Sequence, residues 1–291
     1  MNNQQKTLIL GGSGFVGRQL FAKLGPERAI ATYCSHPLEG GVYFDALKMK
    51  LSDIVKSPGE ISQAIILLGD TKPDSCFLNL QHSQLLNVES IKNIIDQLRQ
   101  WKIKPLFASS ECIFDGTKGN YVETDTPNPI LTYGKQKIDI EHHLQKTCDE
   151  YIIVRPSRIY GAKRGDGTWF TQWLDDIEAG RKITCARDQV TSVIYIGDVV
   201  AAMLLLFEKN CNGIFHLAGP KKFNKLELFD ILAAEVRKHR DVKISVASCG
   251  INEFPVKEKR PLDLSSKPDK FVQATGIKLT KVEDMCAQLA K

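Results

Sequence analysis

A glycine-rich turn follows the first apolar run of the chain and opens a segment with helical spacing. Residues 8–10 lead into Gly11-Gly-Ser-Gly-Phe-Val-Gly17, and residues 18–24 continue with the period of a helix. Glycines at such a turn let the chain reverse tightly, let the backbone approach a pyrophosphate and let the helix pack on the strand. The free N–H groups at the start of the helix then attract phosphate. This order of strand, turn and helix predicts a dinucleotide-binding site.

Apolar runs alternate with segments of helical periodicity through the first two thirds of the chain. The predicted strands are residues 7–10, 29–33, 64–68, 106–108, 151–154 and 213–217. The predicted helices are residues 16–24, 85–102, 132–147, 170–179, 197–209 and 225–239. Nearly continuous apolar strands that alternate with helices indicate a parallel sheet covered on both faces. We therefore expect an α/β fold with a doubly wound parallel sheet of the Rossmann type.

The alternating pattern loosens after residue 155, where a loop at 161–167 and Pro/Lys-rich connections appear. This change predicts a smaller, discontinuous C-terminal α/β lobe. Residues 1–160 and 186–218 are expected to form the dinucleotide-binding domain. Residues 161–185 and 219–291 are expected to form the substrate-binding lobe.

Composition narrows the class of protein. The 291 residues are 43% hydrophobic and 25% charged, which is typical of a globular protein. A net charge of +5 fits an anionic ligand and is too weak to indicate nucleic acid. The densest basic run, Lys257-Glu-Lys-Arg260, is interpreted as a solvated face. No apolar stretch approaches the ~20 residues of a membrane span, and the polar N-terminus lacks a signal peptide, so we expect a cytoplasmic protein.

The cysteines and histidines do not form a recognisable metal site. The eight cysteines are scattered, without a CxxC pair or zinc spacing to histidine, and reduced thiols are expected. The adjacent residues His142 and His143 point in different directions on a helix and are expected at the surface. The sequence thus predicts no metal.

Tyr133 and Lys137 are four residues apart on a predicted helix and share one face. A free tyrosine titrates near pH ~10, and a neighbouring ammonium group favours the phenolate, so that lysine together with an oxidised nicotinamide ring could lower the tyrosine pKa toward neutrality. Ser109 and Ser110 follow the predicted strand 106–108, at the sheet edge where ligands gather. A hydroxyl there can polarise a substrate carbonyl. These residues predict a site that exchanges a proton with a carbonyl or alcohol.

The end of the second strand bears on the choice of cofactor. The segment Ala31-Thr-Tyr-Cys-Ser-His36 lacks the carboxylate that usually binds the ribose 2′-hydroxyl of NAD. Ser35 and His36 can hydrogen-bond to a 2′-phosphate, and Arg18 adds positive charge. The sequence therefore favours NADP(H) over NAD(H), with Asp45 expected to meet the adenine.

Several further motifs complete a resemblance that extends over the chain. They are Asn87-Val88, Ser109-Ser-Glu-Cys-Ile-Phe-Asp-Gly116, Tyr121-Val-Glu-Thr-Asp125, Tyr133-Gly-Lys-Gln-Lys137, Val154-Arg-Pro-Ser-Arg-Ile-Tyr-Gly161, Asp188-Gln189, Gly213-Ile-Phe-His-Leu217 and Arg260-Pro-Leu-Asp-Leu-Ser265. With the glycine turn, they resemble the extended short-chain dehydrogenase/reductase superfamily, and more closely its dTDP-4-dehydrorhamnose reductase branch. The resemblance implies an NAD(P)H-dependent reductase of a nucleotide-activated 4-keto-6-deoxy sugar.

The resemblance also implies roles for individual residues. Tyr133 would protonate the sugar C4 oxygen as hydride arrives, with Lys137 holding the nicotinamide ribose and Ser110 as the catalytic hydroxyl. The residues expected to bind the cofactor are Gly11, Ser13, Gly14, Phe15, Val16, Gly17, Ser35, His36, Asp45, Leu68, Gly69, Asn87, Tyr133 and Lys137. The residues expected to bind the substrate, which is a nucleotide-diphosphate sugar, are Glu111, Arg158, Lys163, Trp169 and Arg260, with further positive charge from Arg164 and Arg181.

Some positions depart from the family pattern. Phe77 replaces a common glutamate, Leu68-Gly69 replaces an Ala-Ala pair, and the loop with Lys163 and Arg164 is not a close match. These departures leave the sugar open. An epimerase on the same scaffold and a non-catalytic NADP-binding regulatory subunit remain as alternatives. The resemblance further implies a homodimer, although no stripe of residues identifies an interface.

Overall fold

Strands and helices alternate along the chain, which a computed structural model describes from residue 5 to residue 291. Residues 1–4, part of the polar N-terminus considered above, lie outside the described residues. The strands are β1 (Lys6–Leu10), β2 (Ala29–Tyr33), β3 (Val42–Tyr43), β4 (Ile61–Ile66), β5 (Lys104–Ala108), β6 (Ile152–Pro156), β7 (Ile159–Tyr160), β8 (Ile183–Ala186), β9 (Val190–Thr191), β10 (Ile194–Tyr195), β11 (Gly213–Leu217), β12 (Phe223–Asn224) and β13 (Val246–Cys249).

The helices that follow these strands cover the sheet and build the C-terminal part. They are α1 (Phe15–Leu24), α2 (Pro73–Leu78), α3 (Leu80–Gln84), α4 (Ser90–Gln100), α5 (Thr132–Thr147), α6 (Trp169–Glu178), α7 (Ile196–Glu208), α8 (Lys225–His239), α9 (Asp269–Thr275) and α10 (Val282–Leu289). A π-helical turn, Leu85–Glu89, joins α3 to α4. None of these helices, within residues 5–291, combines the length and apolar character that crossing a membrane demands.

Seven strands form one sheet in the order β11-β6-β5-β4-β1-β2-β3, and each neighbouring pair is parallel. The chain starts at β1, winds outward to β3, and then crosses back to β4 before it winds in the other direction. Between β1 and β4 the connections leave in opposite directions, which opens a crevice at the carboxyl ends of these strands. The predicted doubly wound α/β fold is confirmed.

Both faces of the sheet are buried, which explains why its strands read as continuous apolar runs. On one face, Ile9 and Ile65 belong to a core that includes Leu20 of α1 and Met203 of α7. On the other face, Leu8 belongs to a second core that includes Ile91 of α4 and Ile140 of α5. Burying each such side chain contributes about 1.5–3 kcal/mol. The two cores hold rigid the strand ends from which the site is built.

Three local predictions need correction. The strand expected at 64–68 is β4, which ends at Ile66, because residues 67 and 68 leave the sheet to pass the glycine turn. The helix expected at 85–102 begins with the π-helical turn. His143 is half-buried rather than a surface residue, since its Nε2 lies 3.0 Å from Asp96 Oδ1.

A third core lies outside the two sheet cores. It contains Trp173 of α6, Phe229 of α8, Met285 of α10 and Cys185 of β8. Strands β8 and β13 pair in parallel beside it. These elements come from the segments that the sequence assigns to the substrate-binding lobe, and the exact domain boundaries stay a prediction.

Candidate active site

The glycine turn lies at the crevice between β1 and β4. Gly11 has a φ of +88°, and a Cβ there would come within 2.7 Å of the Leu68 backbone nitrogen, so no other residue fits without strain. Gly14 caps α1 with its backbone, and no side chain caps the helix. The first N–H groups of the helix, those of Phe15, Val16 and Gly17, therefore lack a side-chain partner. The turn has the form that a pyrophosphate requires.

Arg18 and Ser13 are joined at the rim of this turn. Arg18 Nε donates a hydrogen bond of 2.7 Å to the Ser13 carbonyl oxygen. At the end of β2, Ser35 Oγ lies 2.9 Å from His36 Nδ1, and both residues are exposed. The side chains of Ser35, His36 and Arg18 are thus accessible, and their binding of a ribose 2′-phosphate stays a prediction.

The side-chain amide of Asn87 holds the neighbouring loop by hydrogen bonds from both its oxygen and its nitrogen. Its Oδ1 accepts from the Asp70 N–H at 2.7 Å, while its Nδ2 donates to the Asp70 carbonyl at 2.9 Å and to Gln136 Oε1 at 2.8 Å. The residue is 2% exposed. Asn87 therefore shapes the crevice by fixing the backbone that carries Leu68 and Gly69.

Asp45 follows β3 and faces its own loop. Its Oδ1 accepts from the Leu47 N–H at 3.0 Å, and Oδ2 lies 3.2 Å from the ammonium of exposed Lys48. These contacts hold the turn after β3, and the expected contact with adenine stays a prediction.

The segments that carry Ser110 and Tyr133 meet because α5 packs tightly on the loop after β5. A Cβ at Gly134 would collide with the carbonyl oxygen of Cys112, so glycine permits this contact. Ser110 caps the short helical turn Glu111–Ile113, where its Oγ accepts from the Cys112 N–H at 3.1 Å. Ser110 and Tyr133 are 8% and 7% exposed. In the Tyr133-Gly134 dipeptide, the glycine thus permits the close packing that holds the Tyr133 phenol beside the loop after β5.

Lys137 lies one turn further along α5. Its Nζ donates to the Ala108 carbonyl at 2.8 Å and lies 5.5 Å from the centroid of the Tyr133 ring. Burial lowers the pKa of Lys137 to about 8. Burial raises the pKa of Tyr133 well above its usual value, and a contact with Ser110 acts in the opposite direction. Burial thus dominates the pKa of Tyr133 in the protein alone, and the lowering expected from Lys137 together with an oxidised nicotinamide ring stays a prediction.

A cleft of about 240 Å³ opens next to the loop after β5 and the start of α5, where Glu111, Cys112 and Leu131 line it, while Ser110, Tyr133 and Lys137 are not among its lining residues. Residues from several distant segments line it, among them Glu111, Cys112, Arg158, Trp169, Lys225 and Arg260. The sequence anticipated all of these except Cys112 and Lys225. Lys225 begins α8, so nothing in its local pattern distinguished it from a solvated helix residue.

The run Lys257-Glu-Lys-Arg260 is a solvated face only in part, since Lys257 and Lys259 are exposed whereas Glu258 and Arg260 are partly buried. Arg260 Nη2 lies 2.7 Å from Asp74 Oδ1, and the Arg260 side chain is 13% exposed. Glu258 Oε1 accepts from the Thr132 N–H at 2.9 Å and from Thr132 Oγ1 at 2.8 Å, which caps the start of α5. This segment therefore ties the C-terminal part of the chain to the helix that carries Tyr133.

The loop cations that the sequence offered for substrate binding lie elsewhere. Lys163 is exposed and is not among the residues that line the cleft. Arg164 Nη1 donates to Glu178 Oε2 at 2.7 Å, and Arg181 Nε donates to Asp176 Oδ1 at 2.7 Å. The structure thus pairs these two arginines with acids of α6, and it does not bring Lys163 to the cleft.

Glu111 is the buried carboxyl group of the cleft. It is 7% exposed, and its Oε2 accepts from Thr191 Oγ1 at 2.8 Å. Burial raises the pKa of Glu111 to about 7, against the opposing effects of the Thr191 hydroxyl and the Arg158 charge. At neutral pH the protonated and ionised forms of this carboxyl are therefore both well populated in the folded protein, and the protonated form can donate a hydrogen bond.

Glu111→Gln is expected to remove a pH-dependent loss of stability. Between pH 4.5 and about 7 the folded state binds more protons at Glu111 than the unfolded state does, so stability falls as the pH rises. From pH 5 to pH 8 the wild-type free energy of unfolding should fall by roughly 2.5 kcal/mol more than that of Glu111→Gln. Urea denaturation at both pH values measures this, with exposed Glu39→Gln as the control. Equal pH dependence of Glu111→Gln and wild type would refute the burial argument.

The family model described as the RmlD substrate binding domain matches residues 5–291. The chain belongs to this family. The resemblance to the dTDP-4-dehydrorhamnose reductase branch of the short-chain dehydrogenase/reductase superfamily is thereby confirmed.

Curated relatives differ in what their names describe. The chain is 31% identical over 154 residues to the probable low-salt glycan biosynthesis reductase Agl14 of Haloferax volcanii; the match covers 51% of this chain and 51% of that protein, about half its length. It is 25% identical to the dTDP-4-dehydrorhamnose reductase of Aggregatibacter actinomycetemcomitans, with 94% of each chain covered. It is 23% identical to the methionine adenosyltransferase 2 subunit beta of Xenopus tropicalis, over 77% of this chain and 70% of that one.

Solved structures share the fold over nearly the whole chain. A hypothetical dTDP-4-dehydrorhamnose reductase from Sulfolobus tokodaii superposes with a TM-score of 0.81 at 26% identity, covering 92% of this chain and 94% of that one. The dTDP-4-dehydrorhamnose reductase of Bacillus anthracis, solved in complex with NADP, gives a TM-score of 0.83 at 20% identity with 98% of each chain covered.

Proposed function

We propose that this protein is an NADPH-dependent reductase of a nucleotide-activated 4-keto-6-deoxy sugar. The observation that carries the proposal is the convergence of Ser110, Tyr133 and Lys137, whose chain neighbours Glu111, Cys112 and Leu131 line a cleft together with several cations. The glycine turn lies at the same sheet edge. Relatives named as reductases of dTDP-4-dehydrorhamnose and of glycan biosynthesis support the same class of reaction.

The crevice has the shape that an NADP(H) cofactor needs. The cradle at Gly11 would be filled by any Cβ, and the start of α1 offers N–H groups for the pyrophosphate. Ser35, His36 and Arg18 would bind the 2′-phosphate, and the NADP bound to the Bacillus anthracis structure supports this choice of cofactor. Bound NADPH would supply the hydride for the reduction.

The residues of this chain would supply the proton and the orientation. The phenol of Tyr133 stays protonated at neutral pH because burial raises its pKa, which suits an acid that protonates the C4 oxygen. Ser110 would donate a hydrogen bond to the same oxygen, and Lys137 would hold the ribose hydroxyls beside the phenol. The carbonyl carbon gains hydride, its oxygen gains the phenolic proton, and the product is an alcohol at C4.

A non-catalytic regulatory subunit is the second candidate, favoured by the match to methionine adenosyltransferase 2 subunit beta. An epimerase remains as an alternative on the same fold. Steady-state NADPH oxidation with a panel of 4-keto sugar nucleotides separates these three functions. The reductase oxidises NADPH stoichiometrically with product. The regulatory subunit oxidises none, and an epimerase interconverts sugars without net oxidation of NADPH.

A further inference from the structure

A buried glutamine stands between Tyr133 and Lys137 in the sequence of α5. Gln136 is 3% exposed, and the helix places it one turn beyond Tyr133. Its Oε1 accepts from Asn87 Nδ2 at 2.8 Å, and its Nε2 donates to Ser83 Oγ at 2.8 Å. Gln136 therefore joins the helix that carries Tyr133 and Lys137 to the segment that follows β4.

The hydrogen bonds of Gln136 are of an uncommon kind. Most side-chain hydrogen bonds in proteins go to the backbone or to water, and few join two side chains. Gln136 bonds to two other buried side chains, since Ser83 is fully buried and Asn87 is 2% exposed. Asn87 also lies in the π-helical turn, a distortion that is frequent at functional sites. Such a buried polar network fixes one arrangement of its members, because each lost bond leaves a buried polar group unpaired.

The loop after β4, residues 67–70, is held by Asn87 on one side and by the glycine turn on the other. Asn87 bonds to the N–H of Asp70 at 2.7 Å and to its carbonyl at 2.9 Å. The backbone of Leu68 lies against Gly11, where a Cβ would come within 2.7 Å of the Leu68 nitrogen. This loop thus forms the wall of the crevice next to the glycine turn, and Asn87 holds it there.

We propose that Gln136 is a positioning residue for the cofactor, which keeps the loop 67–70 in its binding position through Asn87. This inference rests on the proposed function for the identity of the cofactor and adds a residue that acts through its neighbours. When the loop leaves its position for part of the time, the apparent affinity for the cofactor falls with the fraction of molecules that keep it in place. Because Gln136 lies on α5, the same bonds also fix this loop relative to Tyr133.

Ser83 provides a comparison within the same network. Its Oγ donates to the Cys76 carbonyl at 2.9 Å, so this arm of the network leads to α2 rather than to Asn87. Ser83→Ala removes one bond of the Gln136 amide and leaves the bond to Asn87 in place. Gln136→Met keeps the length of the side chain and removes both bonds. The two variants therefore separate a general loss of stability from the loss of the Asn87 contact.

Fluorescence titration of the full chain with NADPH tests the proposal. Gln136→Met should weaken NADPH binding about tenfold, the scale of a buried donor left without its acceptor, whereas Ser83→Ala should change it less than about twofold. The exposed Gln145→Met on the same helix should bind as wild type does. Adding Gln136→Met to Asn87→Ala should weaken binding no further, because both changes remove the same contact. In turnover, Gln136→Met should raise the KM for NADPH about tenfold and change kcat less than about threefold.

Hydrogen exchange of the protein without cofactor follows the loop itself. The Asp70 N–H is bonded to Asn87, so its exchange reports how often the loop leaves its place. Gln136→Met should speed exchange at Asp70 at least about fivefold, and Ser83→Ala should leave it close to the wild-type rate. If Gln136→Met does not fold, Gln136→Glu replaces it. Gln136→Glu keeps an acceptor for Asn87 and should bind NADPH nearly as well as wild type does, so a tenfold loss in that variant would contradict the inference.

The remaining outcomes are also decisive. Equal losses of NADPH affinity in Gln136→Met and Ser83→Ala, unchanged affinity in Gln136→Met, or unchanged exchange at Asp70 would each overturn the inference. Failure of the reductase proposal is distinguishable, because NADPH binding that depends on Gln136 without oxidation by any 4-keto sugar nucleotide would leave the inference standing. A wild-type protein that binds no NADPH would contradict both, and an active reductase with equal losses in the two variants would contradict the inference alone.

Discussion

Tyr133→Phe is expected to lower the turnover of a 4-keto sugar nucleotide by at least about 100-fold, the scale of general acid catalysis. The variant loses only the phenolic oxygen, so the packing of α5 at Gly134 and the bond from Lys137 to Ala108 should persist. Stopped-flow or steady-state NADPH oxidation measures the loss. Affinity for NADPH, followed by nucleotide fluorescence, should change little, because the acid acts on the sugar oxygen.

The matched control is Tyr43→Phe, which removes the same atom from a tyrosine that is 47% exposed. It should turn over at the wild-type rate. If Tyr133→Phe keeps the wild-type turnover, Tyr133 is not the general acid, and the proposed mechanism is contradicted.

Glu141→Gln is expected to destabilise the fold by about 3–5 kcal/mol, because it leaves a buried arginine without its counter-charge. Arg155 and Glu141 are 3% and 1% exposed. Arg155 Nη2 donates to Glu141 Oε2 at 2.6 Å, and Ser109 Oγ donates to Oε1 at 2.5 Å. Urea denaturation at neutral pH measures the cost.

The surface pair of Arg181 and Asp176 provides the comparison for this buried pair. Asp176→Asn should cost less than about 1 kcal/mol, as exposed ion pairs do. Similar losses for the two variants would show that burial does not control the strength of the Glu141 interaction. The pair also joins α5, the helix that carries Lys137, to β6.

The sequence predicted the sheet because its signals are local. Continuous apolar strands and the glycine turn specify a buried parallel sheet, and the spacing of Tyr133 and Lys137 places them on one helical face. β3 escaped prediction because two residues, Val42 and Tyr43, are too short for a periodic pattern. The end of β4 was misjudged because Leu67 and Leu68 continue the apolar run after the strand has ended.

The cleft was harder to predict because its walls come from segments far apart in the chain. Lys225 and Cys112 reach it through tertiary packing, which no local pattern records. Arg164 looked available as a loop cation, yet Glu178, fourteen residues later, neutralises it. The pKa of Tyr133 depends on how deeply the residue is buried, and this burial cannot be predicted from the local sequence.

The most direct test of the account follows the hydride itself. The purified chain is incubated with NADPH that carries deuterium on the transferable C4 position and with a 4-keto-6-deoxy sugar nucleotide. The product is then analysed by mass spectrometry and NMR. The account predicts one deuterium at C4 of the sugar, with an equal amount of NADP⁺ released. A product without deuterium at C4, or deuterium that stays in the cofactor while the sugars interconvert, would contradict it.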